Sequence, residues 1–197
     1  DPANNTTRYT YDKAGNKTSI TYPDNKTTNY TYDQNNKLKS ITDTNNNVRT
    51  FTYDVLGNKL TEIDKRGFTT AFVYDNLNRL IQETNAQGTI TAYTYDNNGN
   101  RLTETVNNSR VTSFQYDELN RVKTITRPGS KIESYTYDAN GNVKTKINGN
   151  SQTITYAYVS LDRLTNKQLP TGETSVSYVY DNWNNLTQIT DESATTT

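Results

Sequence analysis

A spaced pair of aromatic residues recurs at a fixed interval along the whole chain. Nine copies follow one another at steps of 21 residues, except for a last step of 22, and an Asp follows the second aromatic in eight of them. A period of this length is typical of a repeat architecture, in which each unit buries its apolar face only against its neighbours. The first aromatics of the nine copies are Tyr9, Tyr30, Phe51, Phe72, Tyr93, Phe114, Tyr135, Tyr156 and Tyr178.

One copy shows clearly what each unit folds into. It reads Tyr93-Thr94-Tyr95-Asp96-Asn97-Asn98-Gly99-Asn100-Arg101-Leu102. The alternation Tyr-Thr-Tyr places both rings on one face of an extended strand. Asp and Asn side chains bond the backbone of a tight reversal, and Gly99 adopts a positive φ without steric cost. The pattern therefore predicts a β-hairpin with an aromatic pair just before the bend.

The second aromatic, the Asp and the turn glycine form the structural signature that we predict for every repeat. In several copies Asn takes the glycine position, and Asn is the non-glycine residue that best tolerates the left-handed backbone region. These residues are Asn36, Asn78, Asn120 and Asn184. The signature residues are Tyr11, Asp12, Gly15, Tyr32, Asp33, Tyr53, Asp54, Gly57, Tyr74, Asp75, Tyr95, Asp96, Gly99, Tyr116, Asp117, Tyr137, Asp138, Gly141, Tyr180 and Asp181.

The return strands contain a spacing that simple alternation does not explain. We place their starts at residues such as Leu38 and Leu60, with Ile41 and Ile63 three positions later. In a regular strand this spacing puts the two side chains on opposite faces. Either a β-bulge restores the face or both faces of the sheet are partly covered.

The eighth repeat departs from the pattern. Val159 replaces the turn Asp, Asp162 appears three residues later, and the step to the next repeat is the longer one. An extra residue slips the strand register unless a loop or bulge absorbs it. We place it near Leu169-Pro170-Thr171-Gly172, because Pro170 cannot donate to a strand ladder.

The sequence predicts an all-β chain: a long antiparallel meander of hairpins with a right-handed twist and no helix. We expect a single array of nine repeats over residues 1–197, with frayed ends at about 1–7 and 191–197. Leu, Ile, Val and Phe make up only about 18% of the chain, but its 16 Tyr add aromatic area that this count omits. Because a lone hairpin is marginal in water, we expect the stacked rings to form a buried core. The lack of Met indicates a piece of a longer protein.

The residue types present argue against catalysis, cofactors and metals. With no His and no Cys, the commonest zinc, copper and iron sites and the usual nucleophilic triads are excluded. Turns such as Asp96–Asn100 superficially resemble calcium loops but lack the further carboxylates and the bidentate Glu of a high-affinity site. We therefore predict no enzyme activity, no cofactor and no metal. The charge is balanced at 21 basic and 21 acidic residues, which does not favour a nucleic-acid groove.

The motif Tyr-x-Tyr-Asp-x-x-Gly-Asn, followed by Leu or Val, resembles the YD repeat of the Rhs family. That family includes bacterial Rhs toxins, wall-associated proteins, shell components of insecticidal toxin complexes and the animal teneurins. The resemblance covers essentially the whole chain, and it implies a spiralling β-sheet that forms part of a hollow shell. Such shells contain many more repeats, and the Asp-Pro-x-Gly self-cleaving region of the toxins is absent. Encapsulation is therefore implied only for a larger parent.

Three functions remain open at this stage. The first is a structural segment of a large exported YD-repeat protein, forming part of a shell or of an assembling wall or fibre. The second is an adhesive cell-surface array, and the third is a glycan-binding module that uses the Tyr ladder. The expected partners are neighbouring repeats of the same parent, or other copies end to end, with glycans as an alternative and no membrane span. By resemblance, we expect an extracellular or cell-surface location.

Overall fold

The chain folds into a succession of short antiparallel strands. The computed structural model describes residues 6–170 and 173–191. Within these residues there are 18 strands, no α-helix, and one 3-10 turn at Ser160–Asp162. The strands are β1 (Arg8–Tyr11), β2 (Lys17–Thr21), β3 (Thr27–Tyr32), β4 (Leu38–Thr42), β5 (Val48–Tyr53), β6 (Lys59–Ile63), β7 (Thr69–Tyr74), β8 (Leu80–Thr84), β9 (Ile90–Tyr95), β10 (Arg101–Val106), β11 (Arg110–Tyr116), β12 (Val122–Arg127), β13 (Lys131–Tyr137), β14 (Val143–Ile147), β15 (Thr153–Val159), β16 (Arg163–Gln168), β17 (Val176–Tyr180) and β18 (Leu186–Asp191). The predicted all-β hairpin fold is confirmed.

The chain forms two compact units. The first comprises Asp1–Tyr93 with Thr105–Asn108, and the second comprises Thr94–Glu104 with Ser109–Thr197. In the first unit each strand from β1 to β8 pairs antiparallel with the next strand along the chain. In the second unit the same holds from β11 to β17. Each unit is therefore a meander in which neighbours in sequence are neighbours in space.

A β-bulge lies next to the hairpin turn. It explains how return-strand residues three positions apart, such as Leu38 and Ile41, lie on one face. In the second repeat Thr31 pairs with Ser40, but Tyr32 pairs with Leu38, so Lys39 is the extra residue. The bulge brings Leu38 onto the face of Tyr32, and the pairing of Tyr30 with Ile41 places that side chain on the same face. The same register shift occurs in the seven other hairpins whose pairing is described.

The third repeat does not follow the predicted start of its return strand. Tyr53 pairs with Lys59, so Leu60 is the extra residue of the bulge and is 38% exposed. Ile63 pairs with Thr50, which lies on the face opposite to the aromatic pair. The prediction that this return strand starts at Leu60 was therefore wrong. The strand begins at Lys59, and it is Lys59 that lies opposite Tyr53.

The two faces of the strands have different chemistry. One face carries the aromatic pairs, and the other carries rows of hydroxyl groups. Opposed pairs such as Thr52 with Thr61 and Thr136 with Thr145 stand 2.6 Å apart between their Oγ1 atoms. Cross-strand hydroxyl pairs of this kind stabilise an antiparallel sheet.

The expected buried core is not present in the described residues. No hydrophobic side chain among them is fully buried, and the repeat aromatics are half-buried or, at Tyr9 and Tyr11, exposed. Among the described residues the strand contacts run mainly between neighbours in the sheet, so each ring is shielded mainly by side chains of adjacent strands. The prediction of a fully buried aromatic core was therefore wrong, although the rings do form a ladder of half-buried side chains.

The irregular repeat is confirmed where its residues are described. Strand β16 ends at Gln168, before Pro170, and pairs with β17 through Asn166 opposite Ser177 and Lys167 opposite Val176. In the preceding repeat the equivalent Lys146 pairs with Ile154, one residue nearer along the chain. The extra residue therefore lies between Lys167 and Val176.

The remaining expectations about this loop and the chain ends fall mostly outside the described residues. Thr171 and Gly172 are among the residues that are not described, as are most of the ends predicted to fray. Of the predicted C-terminal end, Asp191 is described and is the last residue of β18. Within the described part, no helix is long and apolar enough to cross a membrane.

Candidate functional site at the repeat junctions

The Asp of the signature closes the hairpin turn in the eight repeats that contain it. In the first repeat the Asp12 N–H donates to the Asn16 carbonyl at 2.9 Å, and the Gly15 N–H donates to the Asp12 carbonyl at 3.1 Å. The Asp12 carboxylate also accepts from the backbone N–H groups of Ala14 and Asn16, each at 2.9 Å. The side-chain hydrogen bond from Asn16 lowers the pKa of Asp12. The same backbone pair occurs at Asp33, Asp54, Asp75, Asp96, Asp117, Asp138 and Asp181.

Three positions after the signature Asp position, each hairpin turn has a residue in the left-handed conformation that the sequence predicts. Gly15 has φ of 86°, and Asn36, which takes the same place in the next repeat, has φ of 59°. Asn and Gly interchange at this position because both tolerate a positive φ, which costs other residues about 1 kcal/mol or more. The other turns conform, at Gly57, Asn78, Gly99, Asn120, Gly141 and Asn184.

The second Tyr of the pair fastens one repeat to the one before it. The Tyr137 hydroxyl donates to the carbonyl of Val122, which begins the previous return strand, at 2.7 Å. Burial raises the pKa of the Tyr137 hydroxyl, as expected for a phenol that is held as a neutral donor. Bonds of this kind also join Tyr32 to Lys17, Tyr53 to Leu38, Tyr116 to Arg101 and Tyr180 to Leu164.

The hydroxyl contact was missed by the sequence reasoning, although the signal is present. All nine second aromatics are Tyr, whereas three of the first aromatics are Phe. A position that needs only a ring accepts either residue, whereas a position that needs a donor accepts only Tyr. The bias in the sequence therefore distinguishes the junction position from the packing position.

Two kinds of turn alternate along the chain and make different contacts. We call the first kind amide turns, because they end in Gly-Asn, and the second kind cationic turns, because they end in Asn or Asp followed by Lys or Arg. The amide turns end in 15–16, 57–58, 99–100 and 141–142, and the cationic turns end in 36–37, 78–79, 120–121 and 162–163. The ninth turn, with Asn184-Asn185, belongs to neither kind.

Each amide turn donates a hydrogen bond to the cationic turn that follows it. The Asn16 side-chain amide donates to the Asn36 side-chain oxygen at 2.8 Å. In the irregular eighth repeat, Asp162 has a positive φ and accepts from the Asn142 amide at 2.7 Å. Asp162 therefore accepts the amide hydrogen bond in the eighth repeat, as Asn36 does in the second. The remaining two bonds join Asn58 to Asn78 and Asn100 to Asn120.

The cations of the cationic turns extend over the following repeat. The Arg121 guanidinium lies 4.3 Å from the centroid of the Tyr137 ring, and that of Arg163 lies 5.4 Å from the Tyr180 ring. A Cβ atom at Gly57 would stand 2.7 Å from the Lys37 Nζ, so this glycine leaves room for the preceding cation. Such cation–π contacts contribute about 0.5–1 kcal/mol at exposed sites.

An ion cluster lies among the half-buried rings of the second unit. Glu133 binds Arg127 at 2.6 Å and Lys146 at 3.3 Å, and its carboxylate accepts from the Tyr135 hydroxyl at 3.0 Å. The hydrogen bond from Arg127 lowers the pKa of Glu133 to about 2. The carboxylate is therefore held ionised, which suits a structural ion pair and not a general acid. Within the described ranges, no group of three or more acidic side chains is arranged to hold a metal ion.

Comparison with known proteins agrees with this repeat geometry. The teneurin YD-shell family description matches residues 50–197, and the RHS repeat description matches residues 1–28. The chain belongs to the teneurin YD-shell family. No curated protein matches the sequence of this YD-shell chain significantly.

Solved structures share the fold of this YD-shell chain. The Photorhabdus luminescens Tc holotoxin pore with mutation TccC3-D651A matches at a TM-score of 0.63 and 23% identity, over 95% of this chain and 11% of that one. The crystal structure of TcdB2-TccC3 matches at 0.61 and 16% identity, over 94% of this chain and 13% of that one. At these identities the likeness shows the fold alone. The chain thus spans a small part of the length of the structures that it matches.

Proposed function

We propose that this YD-shell chain is a structural segment of a large exported protein, located outside the cell or at its surface. Its activity is assembly into a β-sheet wall, and the signature residues from Tyr11 to Asp181 serve as structural elements of that wall. The observation that carries the proposal is that the repeats complete one another. The Tyr137 hydroxyl and the Arg121 guanidinium reach across a junction, and no described repeat contains a core of its own.

A structural role also accounts for the distribution of polar groups. The Asp12 carboxylate accepts from the turn backbone, and the Asn16 side-chain amide donates both to this carboxylate and to the Asn36 side-chain oxygen of the adjacent turn. Polar groups that are engaged once in every repeat maintain a scaffold, whereas a catalytic site would combine different residues at one place. We therefore assign this segment no catalytic role.

The partners that we propose are further YD repeats. Strand β1 at one end of the first unit and β18 at one end of the second each have one described neighbour, so each leaves an edge with backbone groups available for pairing. All residues of β18 are exposed. Neighbouring repeats of a longer parent chain would cover these edges, and in the isolated segment other copies would do so end to end.

A groove on the aromatic face supports the alternative of glycan binding. The groove has a volume of about 490 Å³ and is open to solvent; its lining includes Tyr116, Asp117, Arg121, Tyr135 and Tyr137. Tyr rings beside a carboxylate suit a sugar ring, which stacks its apolar face and hydrogen-bonds its hydroxyl groups. However, Arg121 and Asp117 are already paired at 2.7 Å, which favours the structural reading.

Sedimentation velocity and a glycan array distinguish the two functions. A wall segment should associate as concentration rises, and negative-stain images should show end-to-end particles. Ile189→Lys adds a charge to the exposed strand β18 and should reduce the association, because charged side chains blunt sheet edges. Monodisperse monomers that bind sugars, together with no effect of Ile189→Lys, would refute the proposed wall.

A further inference from the structure

Asn-Gly pairs are chemically labile, and the sequence contains three of them, which are Asn98-Gly99, Asn140-Gly141 and Asn148-Gly149. In such a pair the Gly nitrogen attacks the carbonyl carbon of the Asn side chain, and ammonia leaves. Water then opens the cyclic imide to aspartate or isoaspartate. Glycine favours the attack because it has no side chain in the way and leaves the backbone free to rotate. Each pair is therefore a place where a neutral amide can become a carboxylate without an enzyme.

The surroundings of Asn148 differ from those of the other two. The Asn148 side chain is half-buried: its oxygen accepts from the backbone N–H groups of Asn150 and Gln152, and its amide donates to the Gln152 side chain. Asn98 and Asn140 are exposed, and among the described residues each side chain makes a single hydrogen bond, through its amide. The side-chain carbonyl is therefore held in place at Asn148 and accessible at Asn98 and Asn140.

The attacking nitrogens of the two exposed pairs lie at hairpin turns. The Gly99 N–H donates to the Asp96 carbonyl at 3.2 Å, and the Gly141 N–H donates to the Asp138 carbonyl at 3.1 Å. Attack on the preceding Asn therefore needs the turn to open. Such local opening costs little at an exposed turn compared with unfolding of the strands.

Asn98 and Asn140 occupy the same place in the fifth and seventh repeats but donate to different acceptors. The Asn98 amide donates to the Asn120 side-chain oxygen at 3.1 Å, and the Asn140 amide donates to the Asp162 carboxylate at 3.0 Å. The Asn120 side chain contains donors as well as an acceptor, so it can rotate and donate to a carboxylate at position 98. The Asp162 carboxylate has only acceptors, so a carboxylate at position 140 would face a like charge without a donor between them.

The contact at Asp162 joins the seventh repeat to the eighth. The same oxygen, Oδ1, also accepts from the Asn142 amide at 2.7 Å, so two amides converge on one carboxylate oxygen. Deamidation of Asn140 would replace one of these donors by an anion. It would therefore remove one hydrogen bond and introduce repulsion beside the other.

We infer that Asn140 is a site of spontaneous deamidation, and that its conversion to a carboxylate weakens the junction between the seventh and eighth repeats. Asn98 is an equivalent reactive site whose junction tolerates the change. Asn148 is protected, and an aspartate there would keep the cap that Asp43 and Asp64 provide in the corresponding turns.

Peptide mass spectrometry of the folded chain, held at mildly alkaline pH, tests which residues react. We expect aspartate and isoaspartate to accumulate at Asn98 and Asn140 well before Asn148. The control is the same chain in denaturant, where the three pairs should react at similar rates because the protection of Asn148 depends on the fold. Conversion of Asn148 first in the folded chain, or no conversion of Asn140, would overturn the inference.

Variants that carry the product test the consequence. Asn140→Asp should speed hydrogen exchange of the β15 amides roughly two- to tenfold, as the loss of one hydrogen bond allows. Asn98→Asp is the matched control and should change exchange of the equivalent β11 amides little. Adding Asp162→Asn to Asn140→Asp should restore slow exchange, because an amide at position 162 can donate to the new carboxylate.

Equal effects of Asn140→Asp and Asn98→Asp, or no rescue by Asp162→Asn, would overturn the assigned consequence at the junction. If Asn140→Asp does not fold, the aged native chain provides the same comparison, because its deamidated and intact fractions can be separated by charge. These outcomes do not depend on assembly of the chain, so they test the site separately from the proposed wall function.

Discussion

Replacing Tyr137 by Phe removes one junction hydrogen bond and leaves the ring in place. The hydroxyl donates to the Val122 carbonyl at 2.7 Å, and no apolar area is lost with the oxygen. A neutral hydrogen bond contributes about 0.5–1.5 kcal/mol net, so we expect Tyr137→Phe to destabilise the junction by about 1 kcal/mol. The effect should be local, because stability in a repeat array is built from neighbour contacts.

Hydrogen exchange at the β12 and β13 amides is the suitable assay, since a repeat array need not unfold in one step. A loss of about 1 kcal/mol corresponds to roughly fivefold faster exchange, if these amides exchange through opening of the junction. Tyr156→Phe is the matched control, because three other repeats carry Phe at that first position. We expect the control to change exchange little. Equal effects of the two substitutions, or no effect of Tyr137→Phe, would refute the junction role of the hydroxyl.

Three further predictions follow from burial, charge and turn chemistry. Because the pKa of Glu133 is lowered to about 2, the stability that it contributes is present above its ordinary value of 4.5 and is lost as pH falls towards 2. Glu133→Gln should remove the part of the loss in unfolding free energy that falls in this pH window. That part is up to about 2 kcal/mol, because the partner Arg127 is half-exposed and solvent screens the pair. An unchanged dependence of the unfolding free energy on pH would contradict the assigned ion pair. Tyr74→Ala should lower the free energy of unfolding by about 2 kcal/mol, below the ~4 kcal/mol of a fully buried ring, because Tyr74 is only half-buried. Tyr9 is exposed, so Tyr9→Ala should lower it clearly less. Equal losses for the two variants in denaturant unfolding would contradict the ladder of half-buried rings. Chelation by EDTA should leave the melting temperature within a degree or two, and a large fall would indicate a calcium site in the Asp-Asn-Gly turns.

The hairpins could be predicted from the sequence because their signals are local. Asp12 bonds the turn residues that directly follow it, and Gly15 and Asn36 share one backbone conformation. The period also locates the irregular repeat, since one additional residue must be absorbed between Lys167 and Val176. These features depend on backbone geometry within a single repeat, which the residue types specify.

Burial and the junction contacts were not predictable in the same way. The sequence shows how many rings exist but not whether a second layer covers them, so a fully buried core was expected where the rings are half-buried. The bulge brings Lys59 opposite Tyr53 where Leu was expected, because the extra residue shifts by one between repeats. The partners of Tyr137 and Arg121 lie in neighbouring repeats, and the chain reveals them only through the bias for Tyr and the alternation of Gly with Asn.

The most direct test of the account is the dependence of stability on the number of repeats. Chains that end at residue 63, 105 or 147 contain three, five and seven repeats of the nine. If neighbouring repeats supply the stability, the denaturant midpoint should rise with each added pair, and the three-repeat chain should be close to unfolded in water. A three-repeat chain as stable as the full chain would contradict the account, because each hairpin would then be stable without its neighbours.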